Sequence, residues 1–157
     1  MSDTRTRAWQ MMAKLDFCML VTSTPGGLRS RPMSSIVKSE EGKIYFLSDA
    51  RASKDYEIAS HPDILLTYGN GSSQFVSTRA NAVTSTDRAL IKKLWNPGAQ
   101  AFWPKGPDDP DVIAIIATPT IAEYWDGSAG ILGTAKMAYA LLTGTAPDLG
   151  DNSKVTL

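Results

Sequence analysis

One cysteine and one histidine are all that this 157-residue chain offers of those two side chains. A lone Cys18 excludes an intramolecular disulfide and a cysteine-built zinc site. A lone His61 leaves a histidine-based metal centre or a Ser-His-Asp triad without its parts. Net charge is missing too, since 16 Lys and Arg balance 16 Asp and Glu. A neutral chain gives no electrostatic reason to bind nucleic acid or a membrane surface. No run approaches the ~20 apolar residues that span a bilayer. The polar N-terminus, MSDTRTRAW, carries no secretory signal, so the cytoplasm is the expected compartment. The length fits a single domain, residues 1–157, with one core.

What is present is a set of short apolar runs between turn signals. Asp3 or Thr4 can cap a first helix, in which Ala8, Met11, Met12 and Leu15 recur at helical spacing. Residues 17–21 read as a buried strand ended by Thr24-Pro25-Gly26-Gly27. Residues 28–38 read as a second strand interrupted by Pro32, a residue that marks an edge or a bulge. A hairpin turn at 40–43 leads to a third strand at 44–47. A short helix at 53–60, a strand at 63–68 and a long strand at 74–85 follow. Thr86 or Asp87 caps a helix stopped at Asn96-Pro97-Gly98. Residues 102–110 read as a loop, 112–125 as a strand broken at Pro119, and 133–142 as a last helix. The polar tail after Pro147 reads as loosely ordered. Five or six strands at such short spacing predict a mainly β fold, a small antiparallel barrel with peripheral helices, rather than a parallel sheet.

Two segments gather side chains suited to an anion. Residues 29–35 place two arginines and three serines on one strand, and residues 46–54 collect hydroxyls and bases between a strand end and a helix start. A helix start offers free N–H groups to a phosphate. Arg31 would add a planar fork and Lys54 a point charge. Taken singly, each has an ordinary explanation: a strand arginine snorkels, and a serine before a lysine caps a helix. Arg51 reads as a surface residue and Cys18 as an inert core thiol. Asp108, Asp109 and Asp111 could hold a hard cation but fit a solvated turn better. Of the tryptophans, Trp9, Trp95, Trp103 and Trp125, most suit core packing or a subunit seam.

In order and spacing these segments resemble the flavin-binding split-barrel superfamily of pyridoxamine 5′-phosphate oxidase, and its general stress protein branch in particular. The resemblance rests on Arg31-Pro32-Met33, Phe46-Leu47-Ser48, Ser53-Lys54, Phe75-Val76-Ser77 and Glu123-Tyr124-Trp125-Asp126. It implies a six-stranded antiparallel split β-barrel and a homodimer holding FMN in clefts between two chains, with FAD or a deazaflavin as alternative cofactors. By the same resemblance, Arg31, Ser48, Ser53 and Lys54 hold the phosphate. Leu47 lines the flavin, and the backbone around Pro32, Met33 and Ser34 meets the ring. Gln74 stands where the family places a ring-contacting glutamine, although a one-residue slip would turn it to the other face. Trp125 is the leading aromatic contact to flavin or partner, with Trp103 and Phe102 next. The implied activity is flavin binding of the general stress type. It has an enzymatic form, an oxidoreductase drawing on a nicotinamide donor, and a sequestering form without turnover. True pyridoxamine phosphate oxidase activity is not expected, because residues 150–157 lack the arginine and histidine of that enzyme's C-terminal segment.

Overall fold

The computed structural model describes residues 2–52, 54–127, 131–147 and 150–157; for Ser2, Asp3, Lys54, Ile131 and Leu132 it describes the backbone only. The elements run α1 (Ser2–Leu15), β1 (Phe17–Thr24), β2 (Gly27–Ser34), β3 (Ile36–Lys38), a 3₁₀ turn (Ser39–Glu41), β4 (Lys43–Asp49) and α2 (Lys54–Ser60). They continue with β5 (Asp63–Gly69), β6 (Gln74–Ser85), α3 (Arg88–Leu94), α4 (Pro97–Phe102), β7 (Val112–Gly127), α5 (Ile131–Thr143) and β8 (Gly150–Thr156). Among the described residues, no helix is long and apolar enough to cross a membrane.

The strands form one antiparallel sheet in the order β2-β1-β5-β6-β7-β4-β3, with β8 added to β7. Its two terminal strands, β2 and β3, are joined through Ser35 alone, so the sheet has to curl until its ends meet. Ser35 is pinned at that corner, its N–H and its hydroxyl both donating to the Asp16 carbonyl at 2.7 and 2.8 Å. Asp16 itself turns the chain from α1 into β1 with φ 46°, a left-handed conformation that aspartate tolerates.

β7 is the long strand that makes the barrel split. β6 pairs along almost all of one edge, while β4 takes residues 112–117 of the other edge and β8 takes residues 121–127. Pro119 falls between those two partners, where its missing N–H leaves no ladder bond unmade on that edge. Opposite it, the β6 register shifts between Arg79 and Ala80. The strand is therefore bulged and not broken.

Inward residues of β1, β4, β5, β6 and β7 form the main core with α1 and α2, including Leu20, Phe46, Ile58, Leu66, Val76, Ile115 and Tyr124. The two helices close opposite ends of the barrel. α1 reaches Gln74 at the start of β6, whereas Pro62, just after α2, accepts from Ala82 N–H near its end. A second core lies on the outer surface of β4 and β7, where Tyr45, Val112 and Ala114 meet Ile91 and Leu94 of α3.

The class expected from the sequence is the one observed, with eight strands in place of six. The expected 28–38 strand is two strands broken at Ser35, because Pro32 sits comfortably on the edge strand β2. Residues 97–102 form the unexpected helix α4, capped by Asn96, whose side chain accepts from Ala99 N–H. α1 starts ahead of Asp3 and Thr4, so neither is its cap. The tail expected to be loose forms β8, although Asp148 and Leu149 lie outside the described residues.

Gly150 fixes the start of β8. It has φ +119°, and a Cβ there would lie 2.4 Å from the Asp126 carbonyl oxygen and 2.5 Å from Gly127 Cα. Gly150→Ala is therefore expected to unseat β8 and cost about 1–3 kcal/mol, read as a lower urea midpoint. Gly26→Ala, whose Cβ would meet only Thr24 Oγ1 at 3.9 Å, should leave the midpoint in place. Equal midpoints for the two variants would show that this close approach does not hold β8.

Candidate functional site

Strand register decides which way the arginines face. Directly across from Arg29, Arg31 and Met33 stand Thr22, Leu20 and Cys18, all buried on the barrel's inner surface. Cross-strand partners share a face, so these three β2 side chains point inward. Pro32 and Ser34 point outward, opposite Met19 and Phe17.

Inside, Arg31 meets Glu57 of α2. Arg31 Nη2 donates to Glu57 Oε2 at 2.6 Å and to Thr22 Oγ1 at 3.0 Å. Thr22 Oγ1 in turn donates to Glu57 Oε2 at 2.5 Å, and Arg29 Nη1 reaches Glu57 Oε1 at 3.3 Å. The Glu57 and Arg31 side chains are 8% and 13% exposed, against 58% for Arg29. An ion pair this buried is strongly destabilising to break, because the survivor is left as an uncompensated charge.

Among the described residues, Arg31 Nη1 and Ser48 Oγ are buried without a hydrogen-bond partner. Ser48 faces inward like Phe46, two residues before it, and lies on the strand that leads into α2. Buried donors without acceptors are rare and costly. A guanidinium N–H and a hydroxyl are also the kinds of donor an anionic oxygen takes. The donor set therefore fits a phosphate group. α2 has only seven residues, so the site's charge comes from side chains and not from a long helix dipole. Ser53 lies outside the described residues, as does the Lys54 side chain, while the Lys54 backbone opens α2. Leu47 faces the opposite way from Ser48, into the second core under α3.

Thr22 and Glu57 were not singled out from the sequence. The signal for Thr22 was available, since residues 18, 20 and 22 alternate onto the buried face, and an inward threonine needs a polar partner. Glu57 carried none, being one of several charges in a short helix.

Gln74 and Trp125 are not brought to this cluster within one chain. Gln74 Nε2 donates to Asp126 Oδ1 at 2.8 Å, and its carbonyl accepts from Lys14 Nζ at 3.2 Å. Arg7 of α1 pairs with Asp126 Oδ2. Gln74 is thus engaged at the α1 end of the barrel, while Glu57 and Arg31 lie beneath α2. Trp125 sits on the outer face beside its cross-strand neighbour Phe75, and both are partly exposed. Trp9 is buried on the core-facing side of α1, and Trp95 and Trp103 pack as a tilted pair with ring centroids 6.3 Å apart. Phe102 is 81% exposed. Burial pushes the Cys18 thiol up to about 12, partly offset by its hydrogen bond with Tyr68, which keeps it an unreactive thiol. Asp109 Oδ1 accepts from Asp111 N–H, and Lys92 pairs with Asp108, so these carboxylates brace a turn. Arg51 is exposed and pairs with Asp49.

The family profile described as pyridoxamine 5′-phosphate oxidase like matches residues 3–148. No curated protein matches. Among solved structures, one assigned as a general stress protein 26 from Jannaschia sp. CCS1 is similar at a TM-score of 0.80 and 25% identity, covering 100% of this chain and 99% of that one. A protein related to general stress protein 26 from Clostridium acetobutylicum gives 0.73 at 14% identity, over 100% and 96% of the two chains. The general stress FMN/FAD binding protein from Xanthomonas citri gives 0.72 at 20% identity, over 83% and 94%. The last two likenesses concern the fold alone.

The Asp126 cluster has a pH signature. Hydrogen bonding from Gln74, then Arg7, outweighs burial and lowers the Asp126 carboxyl below its ordinary value. The unfolded chain then binds this proton more readily than the folded one, so the contribution to stability is present at neutral pH and lost on acidification. Asp126→Asn is expected to cost roughly 0.5–1 kcal/mol at pH 7, the range for a part-exposed pair. The difference from wild type should close below about pH 3.9. Denaturant melts at several pH values measure this, and a difference that persists unchanged into acid would rule out the carboxylate as its source.

Proposed function

The chain belongs to the pyridoxamine 5′-phosphate oxidase-like family, and from that premise we propose that it binds flavin mononucleotide, as a homodimer of the general stress protein type. The observation that carries this reading is that Arg31 Nη1 and Ser48 Oγ, both on inward-facing positions, are buried without a hydrogen-bond partner among the described residues. Arg31, Ser48, Ser53 and Lys54 hold the phosphate, while the backbone of residues 32–35 meets the ring. The Xanthomonas citri relative, described as FMN/FAD binding, supports a flavin as the cofactor class. When bound, the flavin itself supplies electron and hydride transfer, and the protein's part is to seat it and set its surroundings.

The homodimer has its own support. Phe17 and Met19 of β1, Phe75 of β6 and Trp125 of β7 share the outer face of the sheet, each more than a third exposed. Contiguous exposed apolar side chains of this kind mark interaction surfaces. A neutral chain also meets a second copy of itself without net repulsion. A dimer further lets Gln74 and Trp125 of one chain serve a flavin seated on Arg31 of the other, which the separation within one chain otherwise prevents.

Titration of FMN against the wild type and Lys54→Ala tests the cofactor. Losing a charge that pairs with a buried phosphate should weaken binding by about 2–5 kcal/mol. Equal affinities would place the phosphate elsewhere. Sedimentation tests the assembly: the wild type should run with the mass of two chains. Phe17→Asp, an exposed substitution that costs the single chain under about 0.5 kcal/mol, should shift the protein towards one chain. A wild-type mass of a single chain at micromolar concentration would overturn the dimer.

A further inference from the structure

Glu57 is an unexpected residue to find in a phosphate cradle. Its carboxylate is buried within reach of two arginines and repels an incoming anion. A carboxylate kept there must do something that offsets the repulsion. The geometry supplies a candidate. Glu57 Oε2 takes Arg31 Nη2 at 2.6 Å and the Thr22 hydroxyl at 2.5 Å, and Thr22 Oγ1 accepts from the same Nη2 at 3.0 Å. Arg31, Glu57 and Thr22 thus close a three-membered ring of hydrogen bonds. A guanidinium is rigid and planar, so fixing one nitrogen fixes the direction of the others. The nitrogen left over, Nη1, is the one that is buried and unpartnered.

We propose that Glu57 is the positioning residue of the cradle: with Thr22 it pins Arg31 through Nη2, so that Nη1 alone is presented to the phosphate and the site selects phosphorylated flavin over its unphosphorylated nucleoside. This rests on the flavin reading above. Arg29, mostly exposed, balances the second carboxylate oxygen at 3.3 Å. The two arginines and Glu57 together carry one net positive charge.

Equilibrium titration of both FMN and riboflavin against the folded wild type, Glu57→Ala, Glu57→Gln and Thr22→Val tests the idea, with the FMN-to-riboflavin affinity ratio as the readout. Glu57→Ala should lower that ratio about tenfold or more, the worth of a charge-assisted hydrogen bond, while leaving riboflavin affinity unchanged. Glu57→Gln, whose amide oxygen can still accept from Nη2 and Thr22, should keep most of the ratio. Thr22→Val, close to isosteric, should lower it by less than Glu57→Ala and stands as the test if the alanine variant fails to fold. A ratio unchanged in Glu57→Ala and Thr22→Val, or an equal loss of both flavins, overturns the positioning role alone. Tighter FMN binding in both Glu57 variants overturns it as well, leaving Glu57 as a plain opposing charge. A wild type that binds the two flavins equally removes the phosphate reading itself and this inference with it.

Discussion

Ser35 carries the closure of the whole fold. It is the single residue between β2 and β3, which stand at opposite ends of the strand order. Its N–H and hydroxyl both bind the Asp16 carbonyl, which belongs to the turn leading out of α1. One corner therefore ties together the helix that caps the barrel, the first strand and both ends of the sheet. Once that corner is set, the sheet has one way to curl, and alternation along each strand sorts side chains into lumen and outer surface. The inward direction of Arg31 follows from this closure and from nothing local to Arg31.

Closure also determines what α2 can be. A seven-residue helix is too short to be stable alone and is held by Ile58 in the core and Glu57 beneath the barrel wall. Burying Glu57 requires partners, and β2 provides two arginines across from the polar end of β1. The same cluster is thus a structural closure and a candidate binding surface. The barrel needs Glu57 paired, and the pairing leaves one donor of Arg31 over.

Much of this was legible in the sequence because it depends on period and punctuation. Alternation in residues 17–24 and 74–85, the Asp87 cap and the glycine-rich turns all express local preferences that the fold keeps. The misreadings have a common origin in long-range pairing. Pro119 looks like a strand breaker but sits in the gap between two partners, where its missing N–H is harmless; Pro32 does mark an edge strand, and the break falls at Ser35 instead. Residues 150–156 are polar and carry no strand signal of their own; they become β8 because the upper half of β7 has an unpaired edge and Gly150 admits the close approach. Arg31 was identifiable as a candidate by residue type, whereas its tie to Glu57 was not, since that bond joins elements 26 residues apart through the curl of the sheet. Gln74 was correctly placed at the start of a strand. Its engagement by Lys14 and Asp126 depends on how α1 caps the barrel, which no local pattern encodes.

The two ends of the barrel are closed by the same device at different depths. Each helix is locked to the sheet through an arginine–carboxylate pair, Arg31 with Glu57 at the α2 end and Arg7 with Asp126 at the α1 end. The first pair is almost out of contact with water, while the second has side chains 39% and 22% exposed. Solvent and salt weaken an exposed pair and leave a buried one nearly untouched. The α2 end is consequently held by the pair that solvent and salt weaken less. The α1 end, with Gln74 and Asp126, is held by the more screened pair, and it lies beside the exposed apolar face.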